Sequence, residues 1–185
     1  MTELPPDSVN SSQGSSAIPT ARESSGWIWL PLTVVVIAID QLSKSWIVQH
    51  FELYERKHLS SVLDITLVYN TGAAFSFLSD ASGWQRWVFV ALAILVGAGI
   101  VSWMRRLAGR SQGLLCCSLA LILAGAIGNV IDRLRIGHVV DFVHAHWKDA
   151  YFPAFNVADS AITVGAVLLL LDAWRESRSR RRVRS

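Results

Sequence analysis

Four long apolar stretches alternate with polar segments along the chain. A helix of about 20 predominantly apolar residues crosses the hydrocarbon core of a membrane. We therefore predict membrane-spanning helices at about 27–48, 86–104, 113–131 and 155–174. Charged residues interrupt the first and the fourth of them, at Asp40, Lys44, Asp159 and Asp172. The pattern indicates an integral membrane protein of mainly α structure with four transmembrane helices.

The segment between the first two stretches has a different period. From Leu63 to Tyr69, apolar residues alternate with Asp64, Thr66 and Val68, which is the period of a half-buried β-strand. An Asn-Thr-Gly turn follows, in which Gly72 permits a positive φ and Asn70 offers an amide to backbone or substrate. We predict a small β element on the membrane surface, with a turn that lets it move as a lid.

Composition agrees with a membrane protein and divides the chain. Hydrophobic residues make up 52% and charged residues 17%, whereas an average soluble domain is about one quarter charged. Residues 1–26 are rich in Ser and Pro with only Arg22 as a basic residue, so they resemble neither a signal peptide nor a transit peptide. We predict a disordered cytoplasmic extension at 1–26, a membrane domain at 27–174 and a basic cytoplasmic tail at 175–185.

Arginines predict the orientation. They concentrate in the short loop after the second stretch and in residues 175–185, and such clusters mark the cytoplasmic side. Both termini are then cytoplasmic, and the loops 49–85 and 132–154 lie outside, so the β element is extracytoplasmic. The tail lacks interleaved aromatic residues, which favours contact with anionic phospholipid over binding of nucleic acid.

Two aspartates stand where ionisable groups are least tolerated. Asp141 comes just after the third stretch, and Asp159 lies one turn into the fourth. A charged side chain at membrane depth is costly and is rarely without a function. The pair indicates carboxylate chemistry at the outer edge of the bilayer.

Helical spacing gathers polar side chains around these aspartates. Asn129 and Arg133 are four residues apart, and Asn156 precedes Asp159 by three, so each pair shares a helix face. Two polar faces should therefore approach each other across the short outer loop. A stripe of small residues permits the close helix packing that this requires, at Ala120, Ala124, Gly125 and Gly128.

Some positions keep two interpretations. Asp40 and Lys44 are four apart and form either an interfacial ion pair or part of the site. Arg133 lies beside Asp132 and Arg135, so it belongs either to the site or to a solvated helix end. Three histidines follow in the outer loop, at His138, His144 and His146. Without a carboxylate at helical spacing they indicate a wet loop, so we predict neither a metal nor a cofactor.

Five motifs now carry a resemblance to a known family. They are DQLSK (40–44), YNTGAAFSF (69–77), AGAIGNVIDR (124–133), VVDF (139–142) and PAFNVADSAI (153–162). In order and spacing they resemble the motif set of lipoprotein signal peptidases, the bacterial signal peptidase II family, over residues 27–174. One departure is Ala124, where the family usually has the first glycine of a pair.

The resemblance implies an aspartyl endopeptidase of the bacterial cytoplasmic membrane, with its site at the outer face. Its substrates would be diacylglyceryl-modified prolipoproteins, cut N-terminal to the lipidated cysteine, and we expect a monomer without cofactors. Asp141 and Asp159 match the family's catalytic pair. Other polar positions match residues that support the site, namely Asp40, Asn70, Asn129, Arg133 and Asn156. We also include Gly72, because it permits the turn that follows Asn70.

The chemistry of paired carboxylates fits this assignment. Two carboxylates in a low dielectric share one proton, because ionising both is unfavourable. The ionised member can then take a proton from water while the neutral member hydrogen-bonds the scissile carbonyl.

Two other functions compete with this one. A small transporter or proton channel could use Asp40, Asp159 and Arg133 as a relay, although the paired inverted repeats common in transporters are absent from the sequence. An intramembrane aspartyl protease of the presenilin type, or a prepilin peptidase, would carry a GxGD signature, which the sequence lacks.

Overall fold

The computed structural model describes residues 24–72, 83–148 and 150–184. Four long helices follow a short 3-10 turn at Gly26–Trp29: α1 Leu30–His50, α2 Gln85–Arg106, α3 Gly113–Ile136 and α4 Val157–Arg184. Each is long and apolar enough to cross a membrane. The predicted four-helix membrane architecture is confirmed.

Two helices run further than their apolar stretches. α3 continues past residue 131 because the carboxylate of Asp132 lies 2.8 Å from the ammonium of Lys44, which compensates its charge. The helix ends where Gly137 adopts a left-handed φ of 84°, a conformation that favours glycine. α4 continues through the arginines of the tail, where Arg180 donates a hydrogen bond of 2.6 Å to Glu176 one turn earlier.

α3 lies at the centre of the bundle. Its apolar window is 56% buried, against 17% for each of the other three helices, because α1, α2 and α4 all pack on it. The predicted stripe of small residues makes this possible: Ala120 and Ala124 are almost fully buried. A methyl group at Gly125 would collide with the carbonyl oxygen of Ala158 on α4. The alanine at position 124 is therefore accommodated within the helix contact.

Two apolar clusters fill the interior. One joins α2 and α3 near the end of α2 and includes Cys116, a free cysteine that is fully buried. The other lies between the end of α1 and the strands, around Ile47, Leu67 and Phe142. This second cluster connects the helical bundle to the sheet.

A small antiparallel sheet covers one end of the bundle. Its four strands are adjacent in sequence order: β1 Arg56–Ser60, β2 Leu63–Asn70, β3 Val139–Trp147 and β4 Ala150–Tyr151. The strand predicted at 63–69 is confirmed as β2. Its neighbour β3 comes from the other loop and places Asp141 opposite Val68.

Two polar residues of β2 are buried, unlike the polar residues of a half-buried strand. Such a strand would leave Asp64 and Thr66 in solvent, but both are buried, with Asp64 0% exposed. Histidines of the neighbouring strands flank Asp64, His58 on β1 and His146 on β3.

Parts of the predicted pattern lie outside the described residues. These are residues 1–23 of the N-terminal extension and residues 73–77 of the YNTGAAFSF motif. The chain from Ser24 onward contacts the loop between α2 and α3, where Gly26 N donates to Leu107 O at 3.0 Å.

Candidate active site

Asp141 lies on β3 at the junction of the sheet and the bundle. Its side chain is buried, with the residue 2% exposed. Asn70, the last residue of β2, donates from Nδ2 to Asp141 Oδ2 at 2.9 Å, and Asn156 donates from Nδ2 to Oδ1 at 2.7 Å. Both carboxylate oxygens therefore accept a hydrogen bond from a side-chain amide.

Asp159 lies in the first turn of α4, where it forms a reciprocal cap with Asn156. Asn156 Oδ1 accepts from Asp159 N at 2.9 Å, and Asp159 Oδ2 accepts from Asn156 N at 3.3 Å. This is the geometry of a capping box, and negative charge is stabilised at the N-terminus of a helix. From α3, Asn129 Nδ2 donates to Asp159 Oδ1 at 2.7 Å.

Asn156 thus contacts both carboxylates. Its side chain reaches Asp141, and its backbone N–H reaches Asp159. Because Asn156 is 0% exposed and its amide is held at both ends, it fixes the position of one aspartate relative to the other.

Burial raises the pKa of Asp141 to about 6, and the hydrogen bond from Asn70 opposes this rise. The charge of Asp159 raises the pKa further, whereas the Asn156 hydrogen bond and the charge of Lys44 lower it. Near neutral pH, Asp141 can therefore exchange a proton at little cost in free energy. Such a carboxyl is suited to acid–base chemistry.

A buried ion cluster supports the pair from α1. The ammonium of Lys44 lies 2.8 Å from carboxylate oxygens of both Asp40 and Asp132, and donates to Asn129 Oδ1 at 3.1 Å. Lys44 is only 3% exposed, so its three protons are used inside the protein. The bond to Asn129 Oδ1 directs the amide nitrogen of Asn129 towards Asp159.

Asp40 connects this cluster to α4. Its Oδ1 accepts from the backbone N–H of Ala158 at 2.9 Å, which satisfies a donor at the N-terminus of that helix. A methyl group at Gly128 would come within 2.7 Å of Asp40 Oδ2. Both interpretations of Asp40 and Lys44 therefore hold: they form an ion pair, and that pair positions the helix of Asp159.

Gly72 fixes the orientation of Asn70. Its N–H donates to Asn70 Oδ1 at 2.8 Å, so the Nδ2 of Asn70 is directed to Asp141. Gly72 has the predicted positive φ, 94°, and a Cβ there would lie 2.5 Å from the ring of Phe89 on α2. Glycine is required by both the backbone conformation and the space.

Arg133 is half-buried beside the pair. Its guanidinium donates to Asn129 O at 3.2 Å and lies 5.0 Å from the ring centre of Phe89. It is close enough to Asp159 and Asp141 for its charge to interact with both. Within the described part of the chain, its buried Nε has no hydrogen-bond partner.

Sequence reasoning missed two members of the site. Asp132 is buried and accepts from Val140 N at 3.2 Å, while Gln41 Nε2 donates to Asp132 Oδ1 at 2.9 Å. The spacing of Asn129 and Asp132, three residues apart on α3, could have identified Asp132. Gln41 offered no comparable pattern, because apart from its neighbour Asp40 its partners, Asp132 and the backbone oxygen of Gly128, lie on another helix.

Other polar residues of α4 and of the loop after α3 do not bind the carboxylates of the pair in the described structure. Thr163 Oγ1 donates to the backbone oxygen of Asp159, and not to its carboxylate. The three histidines do not form one cluster: His138 packs on the ring of Tyr69 at 4.1 Å, whereas His144 and His146 both pack on Tyr151 and His146 lies beside Asp64.

Four helices long and apolar enough to span a membrane surround two aspartates, and Asn156 hydrogen-bonds to both of them. This combination of fold and site is that of a membrane aspartic peptidase. A family model described as signal peptidase (SPase) II matches residues 32–175. The chain belongs to the signal peptidase II family. The transporter alternative finds no support in these comparisons.

Relatives cover most of the chain. It is 50% identical over 155 residues to a lipoprotein signal peptidase of Pseudomonas aeruginosa strain PAO1, covering 83% of this chain and 90% of that one. A lipoprotein signal peptidase of Pseudomonas putida is 52% identical, with coverages of 83% and 89%. A solved structure described as a bacterial membrane enzyme superposes with a TM-score of 0.72 at 28% identity, covering 82% of this chain and 96% of its own.

Proposed function

We propose that the protein removes the signal peptide from diacylglyceryl-modified prolipoproteins, N-terminal to the lipidated cysteine, with Asp141 and Asp159 as its catalytic pair. The observation that carries this proposal is the double contact of Asn156, which holds the two carboxylates beside each other. The substrate class is supported by the relatives, which are lipoprotein signal peptidases at about 50% identity.

The surroundings of the two aspartates favour different roles. Asp141, whose pKa is raised by burial to about 6, holds the proton and donates it to the scissile carbonyl oxygen. Asp159 accepts hydrogen bonds from the side-chain amide of Asn129 on α3 and from the backbone N–H of Asn156 at the N-terminus of α4, and both stabilise a carboxylate. Asp159 then takes a proton from water, and the water oxygen adds to the carbonyl carbon. Collapse of this intermediate breaks the C–N bond: Asp159 gives the proton taken from water to the leaving amine, and a hydroxyl proton of the intermediate returns to Asp141 as the new carbonyl forms.

Neighbouring groups assist in this scheme. Asn70 keeps Asp141 in position. The half-buried Arg133 has a buried Nε donor without a partner among the described residues, and this donor can orient the peptide or the developing oxyanion. β1 pairs with β2 only as far as Thr66, so the end of β2 near Asn70 is left for an extended substrate backbone to lie beside. That the turn at Gly72 moves as a lid stays a prediction.

We further propose the arrangement in the membrane. The arginines after α2 and in residues 175–185 support an orientation with both termini in the cytoplasm and with the sheet and the aspartates at the outer face. There the acyl chains of the substrate stay in the bilayer while the bond to be cut reaches the interface. The basic tail contacts anionic phospholipid, and the protein acts as a monomer.

Single amide substitutions test the pair. Asp141→Asn and Asp159→Asn should each abolish cleavage of a purified lipidated prolipoprotein, because the amide of asparagine can neither donate nor accept the proton that the carboxyl group transfers. The matched control is Asp172→Asn, which makes the same change on α4 further along the helix and should retain full activity. Full activity in both variants of the pair would overturn the assignment, provided that expression and membrane insertion are normal.

Substrate choice separates the proposal from its alternatives. In detergent, where no gradient exists, the wild-type protein should cut a diacylglyceryl-modified prolipoprotein and leave its unlipidated form intact. Equal cleavage of an unlipidated transmembrane peptide would favour a protease of the presenilin type. Ion movement in vesicles without proteolysis would favour a transporter.

A further inference from the structure

A second cluster of chemically active side chains lies on the sheet, at the opposite end of β2 from Asn70. It consists of one residue from each of three strands, His58, Asp64 and His146. His58 Nδ1 lies 2.7 Å and His146 Nε2 lies 3.4 Å from Asp64 Oδ1. All potential ligand atoms fall within 4.8 Å of one another.

Three polar atoms of this cluster are buried and lack a hydrogen-bond partner among the described residues. Asp64 is 0% exposed, and its Oδ2 has no hydrogen-bond partner among the residues that the structure describes. The same holds for both ring nitrogens of His146, which is 13% exposed. Buried polar groups are normally paired, so unpaired ones at a single point indicate a missing ligand.

Two imidazoles and one carboxylate form a donor set that suits zinc. Zn²⁺ binds histidine nitrogen and carboxylate oxygen at about 2.0–2.2 Å, so tetrahedral ligand atoms lie about 3.3 Å apart. The separation of 3.4 Å between His146 Nε2 and Asp64 Oδ1 matches this spacing, and the hydrogen bond of 2.7 Å between His58 Nδ1 and Asp64 Oδ1 would lengthen when an ion enters. His58 is 78% exposed and can adjust, while Asp64 is held in the sheet opposite it.

We propose that His58, Asp64 and His146 bind a zinc-class divalent cation, with water as the fourth ligand, at a site separate from the catalytic pair. The ion would link β1, β2 and β3, two of which carry Asn70 and Asp141. Sequence reasoning predicted no metal because the histidines of the second loop have no carboxylate at helical spacing. The carboxylate is supplied instead by a strand far away along the chain.

Three residues lie next to the proposed site, namely Arg56, His144 and Tyr151. Arg56 has its Nε 3.9 Å from Asp64 Oδ2 and its guanidinium 5.1 Å from the ring centre of Tyr151. Tyr151 also packs on the rings of His144 and His146, at 5.2 and 5.3 Å. Arg56 opposes a cation, but its side chain is 42% exposed and can turn towards solvent.

Calorimetric titration of Zn²⁺ into the untagged full-length protein in detergent tests the proposal. We expect saturable binding of one ion, weakened at least about tenfold in His58→Ala and in His146→Ala. Because His58 is exposed, its replacement should leave the fold intact. His50→Ala is the matched control: this exposed histidine on α1 contacts only Trp46 in the described structure, and its loss should leave the affinity unchanged.

Three further measurements sharpen the test. Co²⁺ should give the visible absorption of a four-coordinate site, and Ca²⁺, which prefers oxygen ligands, should not compete. Arg56→Gln should tighten binding several-fold by removing a repelling charge. Asp141→Asn should bind zinc as the wild type does, which separates this site from the proposed peptidase. The zinc proposal would be overturned if the wild type showed no saturable binding. It would also be overturned if His58→Ala and His146→Ala bound zinc with the affinity of the wild type.

Discussion

The environment of Asp141 changes the pKa of its carboxyl group. Burial raises its pKa to about 6, and the hydrogen bond from Asn70 lowers it, since that bond stabilises the charged form. The proposed mechanism needs one proton on the pair. The protonated fraction of Asp141 falls as the pH rises through the pKa.

The pH dependence of cleavage follows from this. We expect kcat/KM to fall as the pH rises through about 6 in the free enzyme, as Asp141 loses its proton. Asn70→Ala removes a group that lowers the pKa, so the falling limb should move to higher pH while kcat decreases through lost positioning. A pH profile of both proteins on one lipidated substrate measures the effect. An Asn70→Ala profile that merely scales down, without a shift, would argue against this role of Asn70.

At the scale of elements, close packing of α3 and α4 brings Asn129 to Asp159. A methyl group at Gly125 would strike the backbone of Ala158, next to Asp159. Overpacking of this kind costs about 1–3 kcal/mol, because the helices must separate.

Gly125→Ala should accordingly lower the thermal stability of the protein in detergent and reduce cleavage. Gly99→Ala provides the control on α2, where an added Cβ meets no described atom within 4 Å and alanine improves helix propensity. The comparison is made by thermal unfolding and by turnover. Equal loss in both variants would show that glycine acts here through backbone flexibility and not through contact.

The turn after β2 is the other element that positions the site. Gly72→Val should impair substrate engagement, because valine is strained at a φ of 94°, meets the ring of Phe89 and disturbs the bond to Asn70. Gly83 also has a positive φ, 79°, but a Cβ added there meets no atom within 4 Å among the described residues, so Gly83→Val is the control. We expect kcat/KM to fall more in Gly72→Val than in Gly83→Val, and less than in either aspartate variant. Wild-type kinetics in Gly72→Val would reduce the turn to a connector.

At the scale of the whole molecule, the site is a junction of the elements that meet at the end of the bundle covered by the sheet. Lys44 on α1 binds Asp132 and Asn129 on α3, and Asp40 binds the N-terminus of α4. Asp132 in turn accepts from the backbone of β3. One buried cation therefore links three helices with the strand of Asp141.

Removal of that cation should destabilise the entire fold. Lys44→Met leaves two buried carboxylates without their partner, and breaking a buried ion pair costs about 3–5 kcal/mol. Lys57→Met, at an exposed lysine paired with Glu55, should change the free energy of unfolding by less than about 1 kcal/mol. Unfolding in detergent measures both. A similar small change in the two variants would mean that water reaches the Lys44 cluster.

The sequence by itself determined the elements and the main polar positions. Apolar length alone specified four spanning helices, since a bilayer requires about 20 apolar residues per crossing. Alternation specified β2, because side chains on a strand point to opposite faces in turn. Spacing within one helix placed Asn156 with Asp159, where local geometry decides the contact.

Tertiary structure decided the partners. The pairing of β2 with β3 brings Asn70 to Asp141 from far along the chain, and it is also what surrounds Asp64 with His58 and His146. The burial of Asp132 likewise depends on Lys44 from another helix. Local periodicity carries no information about such contacts. A polar residue at a helix or strand end is stable in water or against a distant partner, and only the assembled fold decides between the two.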